Sequence, residues 1–228
     1  PGGRRIMKII IELLTTLLIL ILGYVGACQY LKYGDLKKID KDCLNPGRNR
    51  IIYLCVGALV NIGLVILFNT LYVEISFLEQ MKILILTGFI YPMAIIDYRV
   101  HKIPNQLLLI AFVIRIIIYV IEFIISKDDA IVTVKSDLAG AVIIGGFFLI
   151  ILLIFKNCIG MGDINLFALM GLYQGLLGAF NSVFFSLIVS FFISLALLIS
   201  KRKNRKDVIP FGPSIYAGTV VGILLTGL

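Results

Sequence analysis

Of the thirteen Asp and Glu residues in the chain, Asp97 and Asp163 stand out for their setting. Asp97 opens the stretch DYRVHKIPN and Asp163 closes GMGD, and each lies at the edge of a long apolar run. Two carboxyl groups held close together cannot both ionise cheaply, so such a pair shares one proton. The ionised member can take a proton from a water while the protonated member donates to a carbonyl oxygen, which is hydrolysis without a covalent intermediate. Competing chemistry is thin. His101, the single histidine, falls in a basic loop and reads as a solvated residue, and no Ser or Cys has a histidine partner suggested by its position.

The flanks of both aspartates carry positioning devices. Pro104 suits the first turn of a helix, and Asn105 can satisfy a free backbone group there. Gly160 and Gly162 loosen the backbone ahead of Asp163 or let another helix approach. A helix-end cap is the plainer alternative for each aspartate. Asp163 begins a helix, where the macrodipole favours negative charge, and Asp97 ends one. On helix ends alone, Asp163 is expected to be the base and Asp97 the proton donor.

The elements that must hold these residues are apolar helices. With 60% hydrophobic and 15% charged residues and a mean hydropathy of +1.06, the 228 residues carry more apolar surface than a soluble domain could bury. Runs long enough to cross about 30 Å of hydrocarbon recur along the chain. The expected fold is all-α, a polytopic membrane protein of about eight transmembrane helices, near residues 9–30, 51–71, 82–97, 104–125, 138–156, 163–179, 181–200 and 211–227. Pro92 in the short third span predicts a kink or an incomplete crossing. Residues 1–8, with PGGRRI ahead of Met7, are expected to be a cloning remnant plus N-terminus, outside the fold. Residues 9–228 then form a single integral-membrane domain with a short cytosolic loop at 31–50. The first apolar run is too long for a cleaved signal and is expected to stay as a helix.

Lys and Arg fix the expected orientation. The loops at 31–50, 98–103, 156–162 and 201–207 hold fourteen of them, against Arg4, Arg5, Lys8, Lys82, Lys127 and Lys135 on the other side. Positive loops stay cytosolic, so the net charge of +8 is explained by topology and attraction to anionic lipid, with no nucleic-acid partner required. Spans four and five separate Asp97 from Asp163, so both return to the same, cytosolic boundary. They are 66 positions apart and can meet if spans three and six are neighbours.

Other features read as structural. Asp137 and eight more acidic residues are assigned to loops, where water solvates them. Glu12 and Glu122 lie near the outer helix ends, and Arg115, seven residues before Glu122, shares its face as an ion-pair partner. Phe184, Phe185, Phe191 and Phe192 are packing or lipid-facing residues, and Gly140, Gly145 and Gly146 admit close helix contact. Cys28, Cys43, Cys55 and Cys158 contain no CxxC pair and are expected to be free thiols in a reducing compartment.

DYRVHKIPN resembles the D-x5-I-P-N segment, and GMGD the GxGD motif, of type IV prepilin peptidases, which are membrane aspartic proteases. IPFGPSIYAG, residues 209–218, is similar to the PFGP segment that opens the last helix in the bacterial branch. The resemblance implies that Asp97 and Asp163 are the catalytic pair, in the bacterial cell membrane and facing the cytosol. It also implies the substrate, a type IV prepilin or pseudopilin whose short basic leader is cut, after a glycine, from a hydrophobic helix. Phe211, Gly212 and Pro213 are then expected to shape the substrate entrance. Long members of the family carry a cytosolic domain with paired CxxC zinc ligands and also methylate the new N-terminus. Here that segment holds Cys43 alone, so zinc is not expected, and S-adenosylmethionine would be needed only if methyl transfer is retained. The alternative from another class is an ion- or proton-coupled transporter using intramembrane carboxylates, and a third is a non-catalytic assembly protein.

Overall fold

A computed structural model describes residues 2–33, 48–155, 159–200 and 209–227. The segments between them, with Cys43, Cys158, most of the loop at 31–50 and the KRKNRK cluster, lie outside the described residues. Among the described residues seven helices follow one another: α1 (Gly2–Tyr33), α2 (Arg48–Thr70), α3 (Phe77–Val100), α4 (Asn105–Ile125), α5 (Lys127–Ile154), α6 (Met161–Ile199) and α7 (Gly212–Thr226). No strand occurs among the described residues. This is the all-α, polytopic membrane architecture expected: hydrocarbon supplies no hydrogen-bond partners, so each spanning segment satisfies its backbone internally as a helix. Five of the helices are long and apolar enough to cross a membrane, and side chains such as Ile117, Val142 and Phe191 are exposed on their outer faces.

Three expectations about spans change. α1 begins at Gly2, ahead of the expected start at residue 9, and Arg5 donates to the Asn69 carbonyl at 2.6 Å. α3 runs for 24 residues straight through Pro92, about 36 Å at the usual rise and enough for a full crossing. Pro92 packs on Gly23, where a Cβ would come within 2.8 Å of the proline ring.

The sixth and seventh expected spans are one element, α6, broken at Gly175, whose φ of 68° and ψ of −173° are open chiefly to glycine. The neighbours of α6 reveal its path. Before the break, Ala168 lies on Gly145, Gly171 on Ala141 and Gly175 on Ser136, so this arm runs antiparallel to α5. Beyond it, Ser182 lies on Gly222 and Ser186 on Gly218, so the second arm follows α7 backwards. α7 begins at Gly212, against Asp97, and the second arm therefore returns toward the end from which the first one left. Gly140 and Gly145 admit these close approaches as expected, whereas Gly146 has nothing within 4 Å.

A group of charges lies buried at the end opposite Asp97. Arg115, with no exposed surface, pairs with Glu122 at 3.3 Å and with Asp137, and Lys82 reaches Glu122 at 3.5 Å. The Arg115–Glu122 pair matches the sequence reading. Asp137 and Lys82 do not: α5 starts at Lys127, well before the apolar run, and carries Asp137 into the bundle rather than leaving it in a solvated loop. Arg115 Nε also donates to the Leu172 carbonyl at 2.7 Å, and Tyr119 Oη donates to Asp137 at 3.0 Å. Two positive and two negative groups thus tie α3, α4, α5 and the turn of α6 before Gly175 into one clamp.

Removing one member of such a cluster strands the others without counter-charge in a poorly solvated interior. Arg115→Ala is expected to lower stability by about 3–5 kcal/mol, read from unfolding titrations in detergent micelles. A change below about 1 kcal/mol would mean that the cluster does not hold the helices together.

Candidate active site

Asp97 sits in the last turn of α3, 6% exposed. The helix stops four residues later at His101, a left-handed cap (φ 56°) whose N–H donates to the Asp97 carbonyl at 2.8 Å. Ile103 and Pro104 then lead into α4. Asp163 occupies the first turn of α6, where the Gly160 N–H donates to its Oδ2 at 3.3 Å.

Two glycines explain why the aspartates come together. A Cβ on Gly162 would lie 3.0 Å from the Ile103 Cβ, so its absence lets the start of α6 rest on the α3–α4 connection that follows Asp97. Gly212 opens α7 directly over Asp97, and its N–H donates to Asp97 Oδ2 at 2.7 Å. There a Cβ would come within 2.8 Å of the Asp97 Cβ and 3.1 Å of the Ala94 Cα. Both aspartates line one cavity of about 520 Å³ and interact electrostatically.

The two carboxylates are satisfied unequally. Oδ2 of Asp97 accepts from the Gly212 N–H, which makes its Oδ1 the better seat for a proton on that carboxyl. Oδ1 of Asp163 is buried and has no hydrogen-bond partner among the described residues. Such an oxygen costs free energy unless a water or a bound group donates to it. The N-terminus of α7 aims its dipole at Asp97 much as the N-terminus of α6 does at Asp163. Helix ends therefore no longer separate a base from a proton donor.

Of the other residues singled out in sequence, Gly160, Gly162 and Asn105 line the cavity with the aspartates, and Pro104 precedes α4 as its cap residue. Asn105 makes no capping bond there; its side chain is exposed at the cavity wall. Phe211, Gly212 and Pro213 are not on that wall. Phe211 packs edge-on against Phe167 with ring centroids 5.8 Å apart, Pro213 lies in the first turn of α7, and Gly212 acts through its backbone. Tyr30, Lys102, Gln106 and Asn165 were missed and also line the cavity, as does His101, read earlier as a solvated residue. Asn165 and Gln106 were within reach, each being a polar residue beside a motif at the edge of an apolar run. Tyr30 had no signal, since only folding brings the end of α1 here.

Among the described residues no group of three or more His, Cys, Asp or Glu side chains is placed to hold a metal ion, and Cys28 and Cys55 are free thiols.

Comparison with known proteins agrees with this picture. The profile of the type IV leader peptidase family matches residues 83–199, which contain both aspartates. A prepilin leader peptidase/N-methyltransferase of Bacillus subtilis (strain 168) is 27% identical over 152 residues, 64% of this chain and 56% of that protein. The chain thus spans little more than half the length of this curated relative. No solved structure matches it.

Gly212→Ala must push α7 away from Asp97. Overpacking of this kind costs about 1–3 kcal/mol, so the melting temperature is expected to fall and the infrared carboxyl band of Asp97 to move. Gly146→Ala, with open space around it, is expected to change neither. An unshifted Asp97 band in Gly212→Ala would show that the contact does not hold the carboxylate.

Proposed function

The chain belongs to the type IV leader peptidase family, and from that premise we propose that it is a membrane aspartic endopeptidase cutting the basic leader from type IV prepilins or pseudopilins. The observation that carries this reading is the shared cavity: Asp97 and Asp163, distant in sequence, line one polar recess at the ends of two apolar helices. The Bacillus subtilis relative is named for leader cleavage.

In the proposed reaction the ionised aspartate takes a proton from a water lodged between the pair, and the resulting hydroxide adds to the scissile carbonyl carbon. The other aspartate gives its proton to the carbonyl oxygen, forming a neutral tetrahedral diol. Collapse of the diol breaks the C–N bond. One diol hydroxyl returns its proton to an aspartate, and the leaving nitrogen receives a proton from the pair, which ends with the single shared proton it began with. The unpartnered Oδ1 of Asp163 suits either the water or the protonated state of this cycle.

We place the site on the cytosolic side of a bacterial cell membrane, because the loops next to it carry most of the basic residues. A substrate leader that is itself basic and cytosolic would then meet the aspartates without crossing the bilayer. The proposed cleavage requires no metal or cofactor, and S-adenosylmethionine would be needed only if methyl transfer is retained. A transporter reading would have drawn on the buried charges, but Lys82, Arg115, Glu122 and Asp137 are satisfied by one another.

Purified protein in lipid vesicles, given a synthetic prepilin, is expected to release the leader after the glycine, seen as a mass shift. Asp97→Asn and Asp163→Asn are each expected to cut the rate by a factor on the order of 10³ or more while leaving the melting temperature near that of the parent. Full activity in either variant would rule out the pair, and a proton flux without cleavage would favour transport.

A further inference from the structure

A second concavity adjoins the aspartate cavity. It is an apolar groove of about 300 Å³ between α4 and the first arm of α6, floored by Leu108 and Leu169 and edged by Leu109, Phe112 and Leu172. Asn105 and Asn165 border both the groove and the aspartate cavity. The groove therefore opens into the site at one end.

Its other end is shut. Tyr173 Oη donates to the Ala111 carbonyl at 2.7 Å, and Arg115 Nε donates to the Leu172 carbonyl at 2.7 Å, bolting α4 to α6 just beyond Phe112. From Asn105 to that bolt α4 rises about 10 Å, or two turns of helix. Leu109 and Phe112 are 62% and 43% exposed on its rim, on a helix apolar enough to span a membrane.

We infer that this groove receives the first turns of the substrate's apolar helix, with Asn105 and Asn165 holding its unwound start beside the aspartates. The inference rests on the protease reading above and adds the face from which the substrate enters. A peptide bond inside a helix is shielded by the surrounding turn, so the residues at the cleavage point must be extended. Extension frees backbone N–H and C=O groups that lipid cannot satisfy. Two carboxamides, each offering a donor and an acceptor, stand where the apolar groove gives way to the polar cavity. An apolar helix docked against α4 would keep its remaining length in lipid.

The test uses the full chain in lipid vesicles with a peptide made of a basic leader, a glycine and an apolar helix of about 20 residues. A photo-crosslinking amino acid replaces Leu109 or Phe112 in one set, and Val142 or Ile143, exposed on α5, in another. Each is made in an Asp163→Asn background so that the peptide stays whole, and the unsubstituted protein is run alongside to verify cleavage. Adducts are expected from positions 109 and 112, mapping to the first two turns of the apolar helix, and few from 142 and 143. Cleavage by the unsubstituted protein with equal adducts at both faces, or adducts only at α5, would overturn the groove while leaving the protease reading intact. Absence of cleavage by that protein would overturn both. Leu109→Arg, which puts a charge where the apolar helix must lie, is expected to raise KM on the order of tenfold or more with kcat nearly kept. An unchanged KM would contradict the docking, and a fallen kcat at unchanged KM would move the residue's effect to the reaction itself and overturn it as well.

Discussion

A polar group inside hydrocarbon has to find its partner within the protein, and that constraint shapes both ends of the bundle. At one end the charged groups meet it: Lys82, Arg115, Glu122 and Asp137 neutralise one another and, through the Leu172 carbonyl, fix the turn of α6 ahead of its break. At the other end it is met only in part. Asp97 takes the Gly212 N–H, whereas Asp163 keeps one oxygen without a donor among the described residues. The paired charges are a fastening, and the carboxylate with a bare oxygen stands where chemistry has room to occur.

The break at Gly175 connects the two. A helix of 39 residues without a bend would run far beyond the hydrocarbon. Because α6 turns back there, its first arm can carry Asp163 down to the α3–α4 connection while its second arm packs along α7, whose first N–H reaches Asp97. Close contacts at Gly140, Gly171, Gly218 and Gly222 hold the arms against α5 and α7, as van der Waals packing must where lipid removes the hydrophobic drive between helices. Rigid at one end and open at the other, α4 and α6 leave a short apolar groove leading to the aspartates.

Much of this was legible in the residues. Hydropathy gave the helical membrane class, and two spans between Asp97 and Asp163 were enough to put both at one end. GMGD, IPN and PFGP each lie at a bend beside the cavity or the aspartates. What stayed hidden depends on contacts rather than composition. Asp137 follows a charged stretch, KDDAIVTVK, that reads as a loop; only the extension of α5 back to Lys127 shows it facing Arg115. Gly212 contributes through a backbone N–H, which no side-chain pattern announces. Pro92 suggested a broken crossing, but Gly23 makes room for its ring and the helix continues.

That Asp97 and Asp163 form one site is tested most directly by cross-linking in the membrane. Asp97→Cys and Asp163→Cys, combined in a background freed of the four native cysteines, would be treated in native vesicles with a short bifunctional maleimide and the protein then cleaved between the two positions. One joined product, formed without a substrate and absent from either single variant, is the predicted result. Two separate fragments, with both thiols shown to be reactive, would contradict a common site.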